Sequence, residues 1–218
     1  MFDFDGLIVD SEIPVFQAWS EIYAEHGQTL SLEFWKTIIG RGPSRFDALA
    51  DLELRLGQAV DREGIDRRRR ARVAELMQTM PVLPGVEAWI EAGRRQGLRL
   101  AVASSSSRAW VEDNLRRLRL RHHFSRLACR DDVAEPKPAP DVYLAATTGL
   151  GVAATEALAL EDSDAGVKAA KAAGLYCLAV PSSLTQGHDL ALADWRAASL
   201  AEQDLGEILK LAAEGVAP

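Results

Sequence analysis

Cysteine is scarce in this 218-residue chain, with only Cys129 and Cys177, each in an apolar stretch. Neither has a metal-like spacing to a histidine or to the other, so no thiolate metal site is expected. Buried, reduced thiols are expected instead, which favours the cytoplasm. Positive charge is also short: 25 Lys and Arg stand against 32 Asp and Glu, a formal net charge of -7. That balance argues against a nucleic-acid face or an anionic membrane surface as the main partner. Long uncharged apolar runs are missing as well. The first dozen residues carry Asp3, Asp5, Asp10 and Glu12, so no signal-peptide segment is expected there, and no later run is suited to span a bilayer. Internal repeats are absent, and the biased patches are brief. The run Arg67 to Arg70 lies among Asp61, Glu63, Asp66 and Glu75 and reads as a solvated helix face.

What remains is an ordinary globular balance, 48% apolar and 26% charged, in a length that fits one domain with an insert or two small domains. From Ser11, a suitable N-cap, to Gly27, a suitable stop, Ile13, Phe16, Trp19, Ile22 and Tyr23 recur at helical spacing. Helical patterns follow over about 31–39, 44–56 and 62–80, so residues 12–80 read as all-helical. Pro81-Val82-Leu83-Pro84-Gly85 marks the far boundary, with Pro84 expected as a first helical residue and Gly97 as the stop. Beyond it, short apolar runs at Leu98 to Ala103, Phe124 to Cys129, Ala157 to Leu160 and Tyr176 to Val180 alternate with helical segments. Such alternation predicts an α/β fold, a parallel sheet with helices on both faces, carrying the all-helical stretch as an insertion.

In an open parallel sheet, ligands bind beyond the carboxyl ends of the strands. Asp3 and Asp5 follow the apolar start, Ser104 follows one strand and Glu161-Asp162 another. Lys137 lies in a loop stiffened by Pro136, Pro138 and Pro140. A cleft joining them holds at least three ionised carboxylates against one ammonium. Like charges about 4 Å apart repel by roughly 4 kcal/mol at an effective dielectric near 20. Such a site calls for a cation, and hard carboxylate oxygens suit magnesium, which also makes room for a phosphate dianion held by Lys137 and Ser104.

The segment Phe2-Asp3-Phe4-Asp5-Gly6-Leu7-Ile8-Val9-Asp10-Ser11, followed by Ser104, Lys137 and Glu161-Asp162-Ser163, resembles the haloacid dehalogenase-like hydrolase superfamily in the order and spacing of its motifs. Within it, the subgroup of β-phosphoglucomutases and sugar-phosphate phosphatases is the nearest in look. The resemblance implies a Rossmann-like core over residues 1–11 and 81–218 and a small helical cap domain over 12–80. It further implies that Asp3 attacks phosphorus to form an aspartyl-phosphate, and that Asp5 serves as acid and then base. Magnesium would be held by Asp3, the Asp5 carbonyl and Asp162, with Glu161 a ligand directly or through water. Ser104, Ser105 and Lys137 would hold phosphate oxygens, with Ser106 in reach of substrate. Asp10, Asp141 and Asp164 read as cap and turn residues.

The turn Gly40-Arg41-Gly42-Pro43-Ser44-Arg45 resembles the subgroup's specificity loop, with Arg45 matching the arginine that holds a second phosphate in the mutases. Two departures favour a phosphatase over the alternative, a β-phosphoglucomutase-like isomerase. Val15 replaces a histidine in the first cap helix, and Ser107, followed by Arg108, replaces the lysine after the serines. Asp5 argues against dehalogenation, and the intact acids argue against a silent binding module. The expected substrate is a small phosphorylated metabolite, a sugar or polyol phosphate, turned over by a monomer, with a dimer also open. The strand before Asp3 is expected to need four or five apolar residues, and only Met1 and Phe2 stand there.

Overall fold

The computed structural model describes residues 1–39 and 46–214. Arg45 and the rest of the 40–45 turn lie outside the described residues, so the expectation for them has no structural counterpart here. The sheet contains β1 (Ala101–Ala103), β2 (Arg126–Ala128), β3 (Leu158–Glu161), β4 (Tyr176–Ala179) and β5 (Trp195–Arg196). β1 pairs with β2 and β4 lies between β3 and β5, all in parallel. Phe2 joins the two parts by bridging Val102 on one side and Leu160 on the other. The order is therefore β2-β1-Phe2-β3-β4-β5, the parallel sheet that the alternation predicted. The strands are shorter than the apolar runs. β1 pairs with β2 only from Ala101 and Arg126 onward, after the helical turn Arg121–His123 closes. β5 was not foreseen, because two residues between polar loops carry no periodicity.

Strand side chains alternate between faces, and the two faces differ in size. Phe2, Val102, Leu127, Leu160 and Leu178 form one face. They pack on α5 (Val86–Arg95), α6 (Arg108–Arg117) and α9 (Leu205–Glu214). Met1, Ala101, Ala103, Ala128, Ala159, Cys177 and Ala179 form the other, against α7 (Asp141–Leu150) and α8 (Asp164–Ala172). Both cysteines are free and buried, as expected. α5 begins at Val86 rather than Pro84, because Gly85 takes a positive φ of 86° as the cap. A Cβ on Gly85 would stand 2.2 Å from the Ala201 nitrogen, so only glycine lets the chain pass there.

Between Asp10 and β1's preceding helix, the chain forms α1 (Glu12–Glu25), α2 (Leu32–Ile38), α3 (Ala48–Leu56) and α4 (Arg62–Met77). Their ends are set by local chemistry: Ser31, Asp47 and Asp61 accept bonds from the free N–H groups of the first turns. Ile22, Tyr23, Leu30, Trp35, Ala48, Leu52 and Ile65 share an apolar cluster. The Tyr23 hydroxyl donates to the Ala48 carbonyl at 2.8 Å and ties α1 to α3. Phe16 stacks near Trp35 and Trp19 lies under Arg69, so both serve helix packing. No helix among the described residues is long and apolar enough to cross a membrane.

Candidate active site

Asp3 immediately follows the Phe2 bridge, and its N–H donates to the Leu160 carbonyl at 3.0 Å. The sheet thus aims its buried carboxyl group beyond the strand ends. Lys137 Nζ donates to Asp3 Oδ1 at 2.6 Å, to Glu161 Oε1 at 2.5 Å and to the Ala103 carbonyl at 2.9 Å. Burial would lower the lysine's pKa, but the charges of Asp3 and Glu161 outweigh it and hold the ammonium above its usual range. The Tyr143 hydroxyl also donates to Glu161 Oε1, and the ammonium sits 5.1 Å from the Tyr143 ring centre. Burial, the Lys137 charge acting against it and the repulsion of Glu161 and Asp5 leave Asp3 with a pKa of about 7. Burial, then Asp3 and Glu161, raise Asp162 well above the carboxylate range.

Two glycines let these acids approach the backbone. Gly6 has φ 86°, and a Cβ there would lie 2.1 Å from Asp162 Oδ2. A Cβ on Gly166, in the first turn of α8, would lie 1.8 Å from Glu161 Oε2. Asp5 is held differently. Its Oδ1 accepts from Ser11 Oγ at 2.5 Å and Trp110 Nε1 at 2.9 Å, and its Oδ2 from Ser106 Oγ at 2.6 Å. Ser104 Oγ stands 3.4 Å from the same Oδ2 and also accepts the Ser106 N–H at 3.0 Å. Ser11 therefore spends its side chain on Asp5 rather than on capping α1. Ser105 Oγ accepts the Lys137 N–H at 3.1 Å and so ties the serine loop to the lysine loop. Ser107 caps α6 by accepting from the Trp110 N–H.

Asp3, Asp5, Ser104, Ser105, Ser106, Lys137 and Asp162 line one cavity of about 890 Å³. Glu161 is fully buried behind its floor and does not line it. Sequence reasoning missed Glu12, Trp110 and Thr185, which share the cavity wall. The arginine run is solvated as expected at Arg67, Arg68 and Arg70, but Arg69, half-buried, and Arg70 also border this wall while paired to Asp66. Their spacing on α4 gave no sign of which face turns inward. Asp10 accepts from Ser183, and Asp141 and Asp164 occupy first helical turns, in line with their reading as structural acids.

Oxygens of Asp3, Glu161 and Asp162 all fall within 4.8 Å of one another. Glu161 Oε2 is buried without a hydrogen-bond partner. Three carboxylates against one ammonium, all oxygen donors, fit a hard divalent cation better than they fit an empty cleft.

Fold and cleft together define a parallel α/β protein with an acidic, lysine-braced pocket at its strand ends. The chain belongs to the haloacid dehalogenase-like hydrolase family, whose pattern matches residues 1–180. It is 39% identical over 209 residues to YhcW of Bacillus subtilis (strain 168), covering 96% of this chain and 94% of that one. It is 33% identical over 224 residues to hexitol phosphatase B of Escherichia coli (strain K12), covering 96% and 95%. The crystal structure of CbbY from Rhodobacter sphaeroides in complex with phosphate superposes with a TM-score of 0.77 at 32% identity, over 92% of this chain and 93% of that one.

Proposed function

We propose that the protein is a magnesium-dependent phosphatase that hydrolyses a small phosphate monoester of a sugar or polyol through an aspartyl-phosphate on Asp3. The observation that carries this reading is the meeting of Asp3, Asp162 and Lys137 from remote stretches of chain in one pocket beside Asp5, with Glu161 packed behind them against the same ammonium. The hexitol phosphatase and the phosphate-bound CbbY support the substrate class. Residues 1–11 and 81–218 serve as the catalytic core and 12–80 as the cap over it. The buried free thiols support a reducing compartment, the cytoplasm.

In the first half-reaction a carboxylate oxygen of Asp3 bonds to phosphorus as the bond from phosphorus to the substrate oxygen breaks. Asp5 delivers a proton to that departing oxygen. In the second, water attacks the phosphorus, Asp5 takes its proton, and the bond to Asp3 breaks to release phosphate. Lys137 and the serines at 104 and 105 hold phosphoryl oxygens and offset their charge. Asp3, Asp162 and the Asp5 carbonyl, with Glu161 behind, would hold a magnesium ion, which would supply the positive charge that lets acids and phosphate share the pocket.

A phosphate-release screen over hexitol, ketose and aldose phosphates, with and without magnesium, tests this. Release that needs the metal and is lost in Asp3→Asn and Asp5→Asn is expected. Interconversion of sugar phosphates that needs a bisphosphate primer would replace the phosphatase by a mutase. Magnesium binding with no turnover on any substrate would leave a binding module.

A further inference from the structure

Three consecutive residues in the loop after β4 reach three different parts of the molecule. Ser183 Oγ donates to Asp10 Oδ2 at 2.9 Å, two residues before α1. Leu184, 4% exposed, enters the apolar cluster of the helical insert. It is the one buried member of that cluster, among the described residues, from outside the insert. Thr185 Oγ1 donates to Asp162 Oδ2 at 3.1 Å. The same Oγ1 accepts the Ser182 N–H at 2.8 Å and stands 3.0 Å from Ser182 Oγ, and Ser182 also bonds the Asp162 carboxylate, so both ends of the turn hold that acid. The turn itself is stiff: the Thr185 N–H returns to the Ser182 carbonyl at 3.2 Å, and the His188 N–H bonds the Thr185 carbonyl at 2.9 Å.

We propose that Ser183-Leu184-Thr185 is a strap through which the seating of the helical insert sets the position of the Asp162 carboxylate. Leu184 and Thr185 are then positioning residues for the metal site, and the proposal rests on the reading of Asp162 as a magnesium ligand. The physical reason is chain connectivity. Adjacent Cα atoms are held about 3.8 Å apart, so Leu184 cannot leave its apolar socket without moving Thr185, and a carboxylate that loses its donor turns. Outer-shell partners of this kind change metal affinity by roughly 10–100-fold. Coupling between sites is reciprocal, so magnesium must also favour the seated insert.

Calorimetric magnesium titration without substrate tests the strap, with thermal melts to verify folding. Thr185→Val is expected to weaken magnesium binding about tenfold or more, and Thr185→Ser to retain it. Leu184→Ala, which removes no atom of Thr185 but loosens its tether, is expected to weaken it several-fold, with Leu184→Met close to wild type. Magnesium is also expected to slow proteolytic cleavage within the insert in the wild type and to do so less in Leu184→Ala. Loss of thermal stability in Leu184→Ala with unchanged magnesium affinity would reduce Leu184 to packing and overturn the strap. Wild-type magnesium binding left unaltered by Asp162→Asn would instead remove the metal-site reading, and the strap with it.

Discussion

Asp3, Glu161 and Asp162 cluster round a single ammonium, and without a metal ion burial and repulsion leave Asp3 protonated below about pH 7. On the proposed reading, magnesium needs these groups as carboxylates, so its binding would expel protons. If Asp3 alone gives up one, apparent affinity climbs tenfold per pH unit well below its pKa and levels off near it, or about 16-fold from pH 5.5 to 7.0. Asp162, also pushed up, steepens the rise. Isothermal titration at pH 6 in two buffers of different ionisation enthalpy counts the released protons directly. The stability of the metal-free protein runs the opposite way. Because the folded acid titrates at about 7 instead of 3.8, the folded state holds more protons than the unfolded chain across that window. Stability therefore falls as pH rises from about 4 to 7, by up to roughly 4 kcal/mol for Asp3, and magnesium restores it. Affinity that stays flat from pH 5.5 to 7.5, with no proton released, would refute the claim that this cluster needs a cation to ionise.

Trp110→Phe removes one of the donors to Asp5 while keeping a ring on α6. A lost bond to a charged acceptor is worth about 1.5 kcal/mol, so kcat/KM for an alkyl phosphate is expected to drop about tenfold. It should drop much less for p-nitrophenyl phosphate, whose leaving group needs little protonation, and equal losses would contradict a role through Asp5. Glu12 is raised from 4.5 to about 7 by burial and by Asp5 and Asp10, so it costs stability as pH rises through that range. Glu12→Gln is expected to stabilise by about 1–2 kcal/mol at pH 8 and hardly at all at pH 4; melts with the same difference at both pH values would exclude this. Gly6→Ala meets both a positive φ and Asp162 Oδ2. It should lose about 1–2 kcal/mol in denaturant melts from the backbone alone and weaken magnesium binding besides, and unchanged binding would show that Asp162 has room to shift.

Asp3, Asp5, Lys137, Glu161 and Asp162 could be picked out from sequence because each interrupts an apolar run or a proline-stiffened loop where ionisable groups are costly. The parallel sheet was legible for a related reason, since buried strands cannot hide their apolar composition. Trp110 was not, because a tryptophan next to Val111 in an apolar-patterned helix looks like any core-facing position; only the placement of α6 brings its indole N–H to Asp5. Ser11 looked like an N-cap and acts on Asp5, because capping and reaching back across a tight turn need the same short hydroxyl side chain. Thr185 had no local signal either, as its partner lies 23 residues away in sequence. The start of α5 was misread at Pro84 because proline's fit to a first helical turn outweighed the left-handed cap that Gly85 provides one residue later.

The disparity between the two sheet faces has a bearing on how this protein tolerates change. On the alanine side, α7 and α8 rest almost on the main chain, and Tyr143, which braces Glu161, hangs from α7. The gap between that helix and the strands therefore acts as a spacer gauge for the brace, set by methyl groups at Ala101, Ala103, Ala128 and Ala159. Adding bulk at any of these inconspicuous positions lifts the helix and withdraws the phenol from the acid it supports. In a saturation library such alanines should rank among the least replaceable positions, above many of the larger residues on the opposite face.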